Sequence, residues 1–160
     1  MATYRTSRNL EASLIDFIIS GLSTGGWTGI TVEKSFARVY EIELPVICVR
    51  LTTTTHNHIE IGDNATNRVP LIIIDIFAKN DGQRLDLKDF LISLLKGGVP
   101  YFDYVVSGNT VSTKTPNGRI RVLSIGDNPI DLSQDKATLD EHDKYRHQLV
   151  LTVNLGKVEA

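Results

Sequence analysis

The 160-residue chain carries 17 Lys and Arg against 19 Asp and Glu, a net charge of −2, with 41% hydrophobic and 22% charged residues. That length suits a single domain with its own core, and the charge balance lacks the concentrated cationic excess that generic nucleic-acid binding requires. Cys48 is the only cysteine, which excludes an internal disulfide and the multi-bridge scaffolds of small secreted domains.

Met1–Ser7 is polar and does not read as a signal-peptide core. No apolar run reaches the roughly 20 residues needed to cross a bilayer. The expectation is a protein made and folded in a cytoplasm, with no membrane partner. From Asn9 to Leu22, Leu10, Leu14, Phe17, Ile18 and Gly21 share a helical stripe. Ile15, Ile19 and Leu22 widen it to about half the circumference, more than one contact surface requires. Ser7 or Asn9 is the expected cap, Glu11 suits the positive end of the helix dipole, and Gly25-Gly26 ends the helix.

Trp27–Phe36 is a weak strand candidate. Pro45–Leu51 is a stronger one, with Ile47, Val49 and Leu51 opposite Val46, Cys48 and Arg50. Cys48 reads there as a small buried hydrophobe. The polar stretch Thr52–Asn67 is too long for an ordinary hairpin turn, and His58–Ile61 extends a strand pair outward as an arm. In Val69–Ala78, Ile72, Ile74, Ile76 and Ala78 share one face, and Leu71, Ile73, Asp75 and Phe77 the other. A strand apolar on both faces must be covered on both, by helices or by another subunit. Asp75, its one charge, needs a buried partner.

Asp81 is the expected N-cap of a helix through Lys96, with Leu87, Phe90, Leu91, Leu94 and Leu95 on its buried stripe and Gly97-Gly98 as its stop. Pro100–Ser107 reads as a strand. Val111–Thr115 and Arg119–Ile125 read as a hairpin turning at Asn117-Gly118. Asp127–Glu141 reads as a polar loop, and Tyr145–Leu155 as a half-buried strand with Tyr145, His147, Leu149, Leu151, Val153 and Leu155 on its inner face. The implied fold is α+β: a mostly antiparallel sheet with two main helices packed on it and a long polar arm or hairpin.

Few residues point to chemistry. His56 and His58 share a strand face, but two imidazoles without a third ligand make a poor metal site. Asp140, Glu141, His142, Asp143, Arg146 and His147 form the densest ionisable cluster, where carboxylates beside imidazoles could bind a cation or perform acid–base work. The simpler reading is a charged strand entrance making salt bridges within or between subunits. Arg119 and Arg121 share a face; they could contact an acidic partner, and the simpler reading is a solvated or intersubunit salt-bridge role. The glycine pairs lack the spacing of a phosphate loop or dinucleotide fingerprint. No catalytic set, metal site or cofactor is expected.

The order of elements resembles the tail-terminator, or tail-completion, proteins of long-tailed bacteriophages. The features that carry the resemblance are the amphipathic helix Asn9–Leu22, the strand Val46–Leu51 with its polar arm, and the apolar strand Val69–Ala78 running into the helix Asp81–Lys96. To these are added Gly118-Arg119-Ile120-Arg121-Val122 and the strand opening Asp143-Lys144-Tyr145-Arg146-His147. The resemblance spans nearly the whole chain and is one of architecture. It implies a structural virion protein forming a ring, commonly of six copies, assembled in the host cytoplasm. The ring would cap the tail tube at its head-proximal end, touching the tube protein and a head-completion or neck protein, with DNA only in transit through the lumen. The candidate interface residues are His56, His58, Glu60, Asp75, Arg119, Arg121, Asp143 and Arg146. The alternatives are another neck, tail-tube or baseplate protein, a small metal-dependent hydrolase using Asp140–His147, or a host adaptor binding through a sheet edge.

Overall fold

The computed structural model describes residues 5–34, 36–62, 64–108, 110–130, 139–155 and 158–159. In chain order these form α1 (Thr6–Thr24), β1 (Thr31–Glu33), a 3-10 helix (Phe36–Glu41), β2 (Val46–His58), β3 (Thr66–Phe77), α2 (Asp81–Leu95), β4 (Val99–Ser107) and β5 (Thr110–Ile130). A 3-10 turn (Glu141–Asp143), β6 (Arg146–Asn154) and β7 (Val158–Glu159) follow. The strands make one sheet in the order β1-β2-β3-β6-β5-β4, with β7 added to β3 at Thr66–Asn67. β1 runs parallel to β2 and the other ladders are antiparallel. The chain is thus the α+β fold that its periodicities imply.

Strict alternation positions the core. In β6 the residues alternate half-buried and buried from Arg146 to Asn154, so Leu149, Leu151 and Val153 join Ile47, Val49, Ile72, Ile74 and Ile76 on one face. Leu10, Leu14, Ile18 and Leu22 of α1, with Leu87, Leu91 and Leu95 of α2, cover that face. The helices meet each other closely: a Cβ on Gly21 would lie 2.5 Å from Leu94 Cδ2, and one on Gly25 2.7 Å from the Phe90 ring. The opposite face is covered at one end only. There the 3-10 helix lays Phe36 and Val39 over Val46, Cys48 and Phe77, and Leu71 and Ile73 further along stay half-buried. The cover on this second face is a 3-10 segment of the same chain.

Several local expectations are corrected. α1 begins three residues before Asn9, follows Arg5 without a side-chain cap, and leaves Glu11 in its second turn. Trp27–Phe36 yields a strand only at Thr31–Glu33. Asn80, not Asp81, caps α2, its side chain accepting from Gln83 N at 2.8 Å; adjacent Asn and Asp are near-equivalent caps. Asn117-Gly118 is not a turn. β5 runs through it, and the hairpin closes between the paired residues Ser107 and Thr110. The register steps from Pro100↔Arg119 to Phe102↔Pro116, so β5 carries an extra residue, with Gly118 at φ +101°. A left-handed glycine serves a bulge as well as a turn, and local sequence does not separate the two. The Asp127–Glu141 loop is strand up to Ile130; residues 131–138 lie outside the described residues.

Because β5 pairs β4 up to Ile120 and β6 from Arg121 onward, the sheet bends there and its two edges come round to α1. The helix bonds to both. Ser13 Oγ accepts from Phe102 N at 3.0 Å and Asn9 Oδ1 from Tyr104 N at 3.4 Å, on the free edge of β4. Across the helix, Glu11 Oε2 accepts from Leu51 N at 3.0 Å on β2. Asn9 and Ser13 are buried for this purpose, supplying main-chain donors with acceptors that a missing strand would otherwise provide.

Candidate functional site

The arm is a continuation of the β2–β3 ladder. The pairs Thr54↔Pro70, Thr55↔Val69, His56↔Arg68, Asn57↔Asn67 and His58↔Thr66 extend it beyond a bulge after Leu51. It carries His56, His58 and Glu60, all exposed. At its tip Ile59 is 48% exposed and Ile61 fully exposed. The two side chains make a small apolar patch at the end of an otherwise polar ribbon.

The sheet's free edges differ in protection. α1 side chains block β4. Among the described residues the outer edge of β5 from Thr110 to Arg119 has no strand partner, but Lys114, Pro116 and the Gly118 bulge interrupt it, all devices that discourage strand addition. The arm edge from Thr52 to His58, a run of threonines, histidines and one asparagine, carries no lysine, carboxylate or proline. It is the edge best suited to strand addition.

Asp75 lies on the second face, fully buried. Its Oδ1 accepts from Arg146 Nη2 and from Gln148 Nε2, each at 3.3 Å, and Oδ2 faces Arg50 Nη2 at 3.7 Å. Both guanidiniums lie over the Phe36 ring, at 5.1 and 5.0 Å, and that of Arg146 also lies 5.0 Å over Phe77. Arg146 reaches Asp143 at 3.8 Å, and Asp143 Oδ1 accepts from Tyr40 OH at 2.7 Å. Burial, then the bond to Asp143, pushes the Tyr40 hydroxyl up to about 12. Burial, then the neighbouring Asp75 carboxylate, pushes the Cys48 thiol up to about 11, which makes it a poor nucleophile. Asp75, Asp143 and Arg146, expected at a subunit boundary, thus find partners within their own chain. They clamp the 3-10 cover onto the sheet.

The Asp140–His147 cluster divides because consecutive strand residues face opposite sides. His142 stays on the Phe77 side, its Nδ1 3.1 Å from Asp140 Oδ1 and its Nε2 2.7 Å from Ile42 O. The bonds from His142, backbone first, hold the Asp140 carboxyl below its ordinary value. His147 turns inward under α2, where Nδ1 meets Arg84 Nη1 at 2.7 Å and Nε2 bonds Asp127. Arginine only donates, so Nδ1 is the acceptor and Nε2 carries the proton. Lys88 Nζ sits 3.2 Å from Asp127 Oδ2. Partial burial works to raise the Asp127 carboxyl, but the bonds from His147 and Lys88 outweigh it and lower it. His142, Asp143 and His147 therefore do not converge, and among the described residues no group of three His, Cys, Asp or Glu is placed to hold a metal.

Arg119 and Arg121 line a shallow recess of about 500 Å3 together with Lys96, beside Gly97 and Gly98. Arg119 Nη2 donates to Gly97 O at 3.0 Å. Sequence reasoning missed Asp127, placed in a loop, and Arg84 and Lys88, whose i, i+4 spacing on α2 was the available signal. It also missed Asn9 and Ser13, polar positions inside an apolar stripe.

No protein-family model matches the chain, and no curated protein matches it in sequence. No helix among the described residues is long and apolar enough to cross a membrane.

Proposed function

We propose that this protein is a structural subunit that assembles into a ring, of the kind that caps the tail tube of a long-tailed phage and presents a face to the neck. The observation that carries the reading is the arm: a paired ribbon with an unguarded strand edge and two exposed isoleucines at its tip. Such a feature gains stability only when a partner adds to its edge or covers its tip. Two ionisable clusters support the same reading, since those around Asp75 and His147 are spent on internal bonds that fix the cover and α2 to the sheet. The six-fold ring, the tube and neck partners, the location in the virion and the passage of DNA through the lumen belong to the proposal and follow from the architectural resemblance. The metal-hydrolase alternative is not favoured by His142 and His147 lying on opposite faces of the sheet.

Negative-stain microscopy of the purified protein, alone and mixed with tail tubes, tests the proposal. Rings alone, or density confined to tube ends, are expected. A protein that stays monomeric and leaves tube ends bare would refute it.

A further inference from the structure

The recess beside the C-terminus of α2 lies where β5 changes partners, pairing β4 up to Ile120 and β6 from Arg121. Gly97, Gly98 and Gly118 leave bare main chain on its walls. Its charged residues are Lys96, Arg119 and Arg121, all exposed, and no carboxylate lines it. Among the described residues none of the three cations forms an ion pair.

Two of these cations have a structural use. Lys96 is the C-cap of α2 and Arg119 Nη2 donates to Gly97 O, so both complement the helix dipole. That helix end carries about half a negative charge, set against three positive ones, and a neutral carbonyl leaves the guanidinium charge in place. Arg121 has no such use. The bond to Gly97 O also fixes Arg119 in position. Its guanidinium lies against Gly98, where a Cβ would sit 3.4 Å from Nη2 and 3.7 Å from Nε. A guanidinium has five N–H donors, of which this bond uses one.

The chain's net charge of −2 less these three cations leaves −5 for the rest of the molecule. A nucleic-acid strand running over the surface would meet that negative excess, whereas a ligand small enough to lie within about 500 Å3 meets the recess alone. A phosphate monoester brings close to two negative charges and three acceptor oxygens; a carboxylate brings one charge and two oxygens. We propose that the recess binds a small phosphate-bearing anion, its phosphate held between Lys96, Arg119 and Arg121. Free phosphate and phosphate monoesters share this chemistry. The inference stands apart from the ring reading and does not depend on it.

Titration of the full chain with inorganic phosphate, glycerol phosphate and a short DNA duplex tests it, with ionic strength held constant by chloride and binding read from amide NMR spectra. The first two should give saturable shifts at Gly97, Gly98 and Gly118 with a common midpoint for each probe. Tighter binding of glycerol phosphate assigns a monoester, and equal binding the free ion. The duplex, whose diesters carry one charge each, should bind more weakly per phosphate. Arg121→Gln should weaken phosphate binding about tenfold, and Arg121→Lys less, because it keeps the charge and loses the fork. Gly97→Asp should abolish binding: a Cβ there meets nothing within 4 Å, and its carboxylate offsets the rim cations. Unchanged melting of the phosphate-free variants by circular dichroism shows that folding is not at issue. Absence of any saturable shift would overturn the inference. Shifts spread evenly over the surface cations, or equal affinity in the wild type, Arg121→Gln and Gly97→Asp, would mean an adventitious ion only and would also overturn it. So would a duplex that binds more tightly per phosphate than either small anion.

Discussion

Asp75→Ala tests whether the buried carboxylate holds the second face together. In the native protein its fully buried carboxylate lies between Arg50 and Arg146, whose side chains are 38% and 12% exposed. Removing one member of a buried pair costs about 3–5 kcal/mol, mainly through the charge left behind. Two features place this site at the lower end. Arg50 can turn to water, and Arg146 keeps Asp143 at 3.8 Å together with the Phe36 and Phe77 rings. Asp75 Oδ2 also lacks a hydrogen bond in the native arrangement, so less is lost. The expected loss is about 3 kcal/mol, a fall in Tm of roughly 6–12 °C for a chain of this size. Urea unfolding and calorimetry measure it. Arg146→Leu alone should cost a similar amount, and the double variant should be at least about 1 kcal/mol more stable than the sum of the two predicts. A change under about 0.5 kcal/mol for Asp75→Ala, or strict additivity, would show that the two charges are solvated independently and that the cover is held by packing alone.

Replacing Ile59–Ala65 by Asn-Gly joins His58 to Thr66, which already face each other in the ladder, and keeps the pairing of Thr66 and Asn67 with β7; unfolding free energy should change by less than about 1 kcal/mol, while on the proposed function docking to tail tubes, scored by microscopy, should be lost. Ser13→Ala with Asn9→Ala strips the acceptors from the β4 edge and should destabilise by roughly 1–2 kcal/mol and promote aggregation, read by light scattering. Gly98→Ala meets a φ of +88° and places a Cβ 3.0 Å from Ile120 O, so a loss of roughly 1–3 kcal/mol is expected in urea titration. Because folding raises the Cys48 thiol from 9.0 to about 11, its contribution is fully present below pH 9 and is lost as pH climbs through that window; Cys48→Ala should flatten the alkaline decline of Tm there, and an unchanged slope would contradict the burial argument.

The amino-acid sequence by itself determined whatever depends on neighbours a few positions away. Two-residue alternation set the faces of β2, β3 and β6, the helical stripes set the buried sides of α1 and α2, and the polar run Thr52–Asn67 marked the arm. Tertiary structure decided what depends on residues far apart in the chain. Asn117-Gly118 satisfies a hairpin and a bulge equally, and the choice fell to β5 pairing β4 before the glycine and β6 beyond it. Asn9 and Ser13 look like flaws in an apolar stripe until the β4 edge, some ninety residues later, arrives in need of acceptors. Asp75 announced its need for a partner, yet only the cross-strand register could select Arg50, Arg146 and Gln148 from the chain. Alternation placed Arg146 and His147 on opposite faces and divided the acidic–histidine cluster, whereas the partners of each half, Tyr40 on one side and Arg84, Lys88 and Asp127 on the other, came from segments whose arrival no local pattern records. Local periodicity fixes which way a side chain points; what it meets there is settled by long-range pairing.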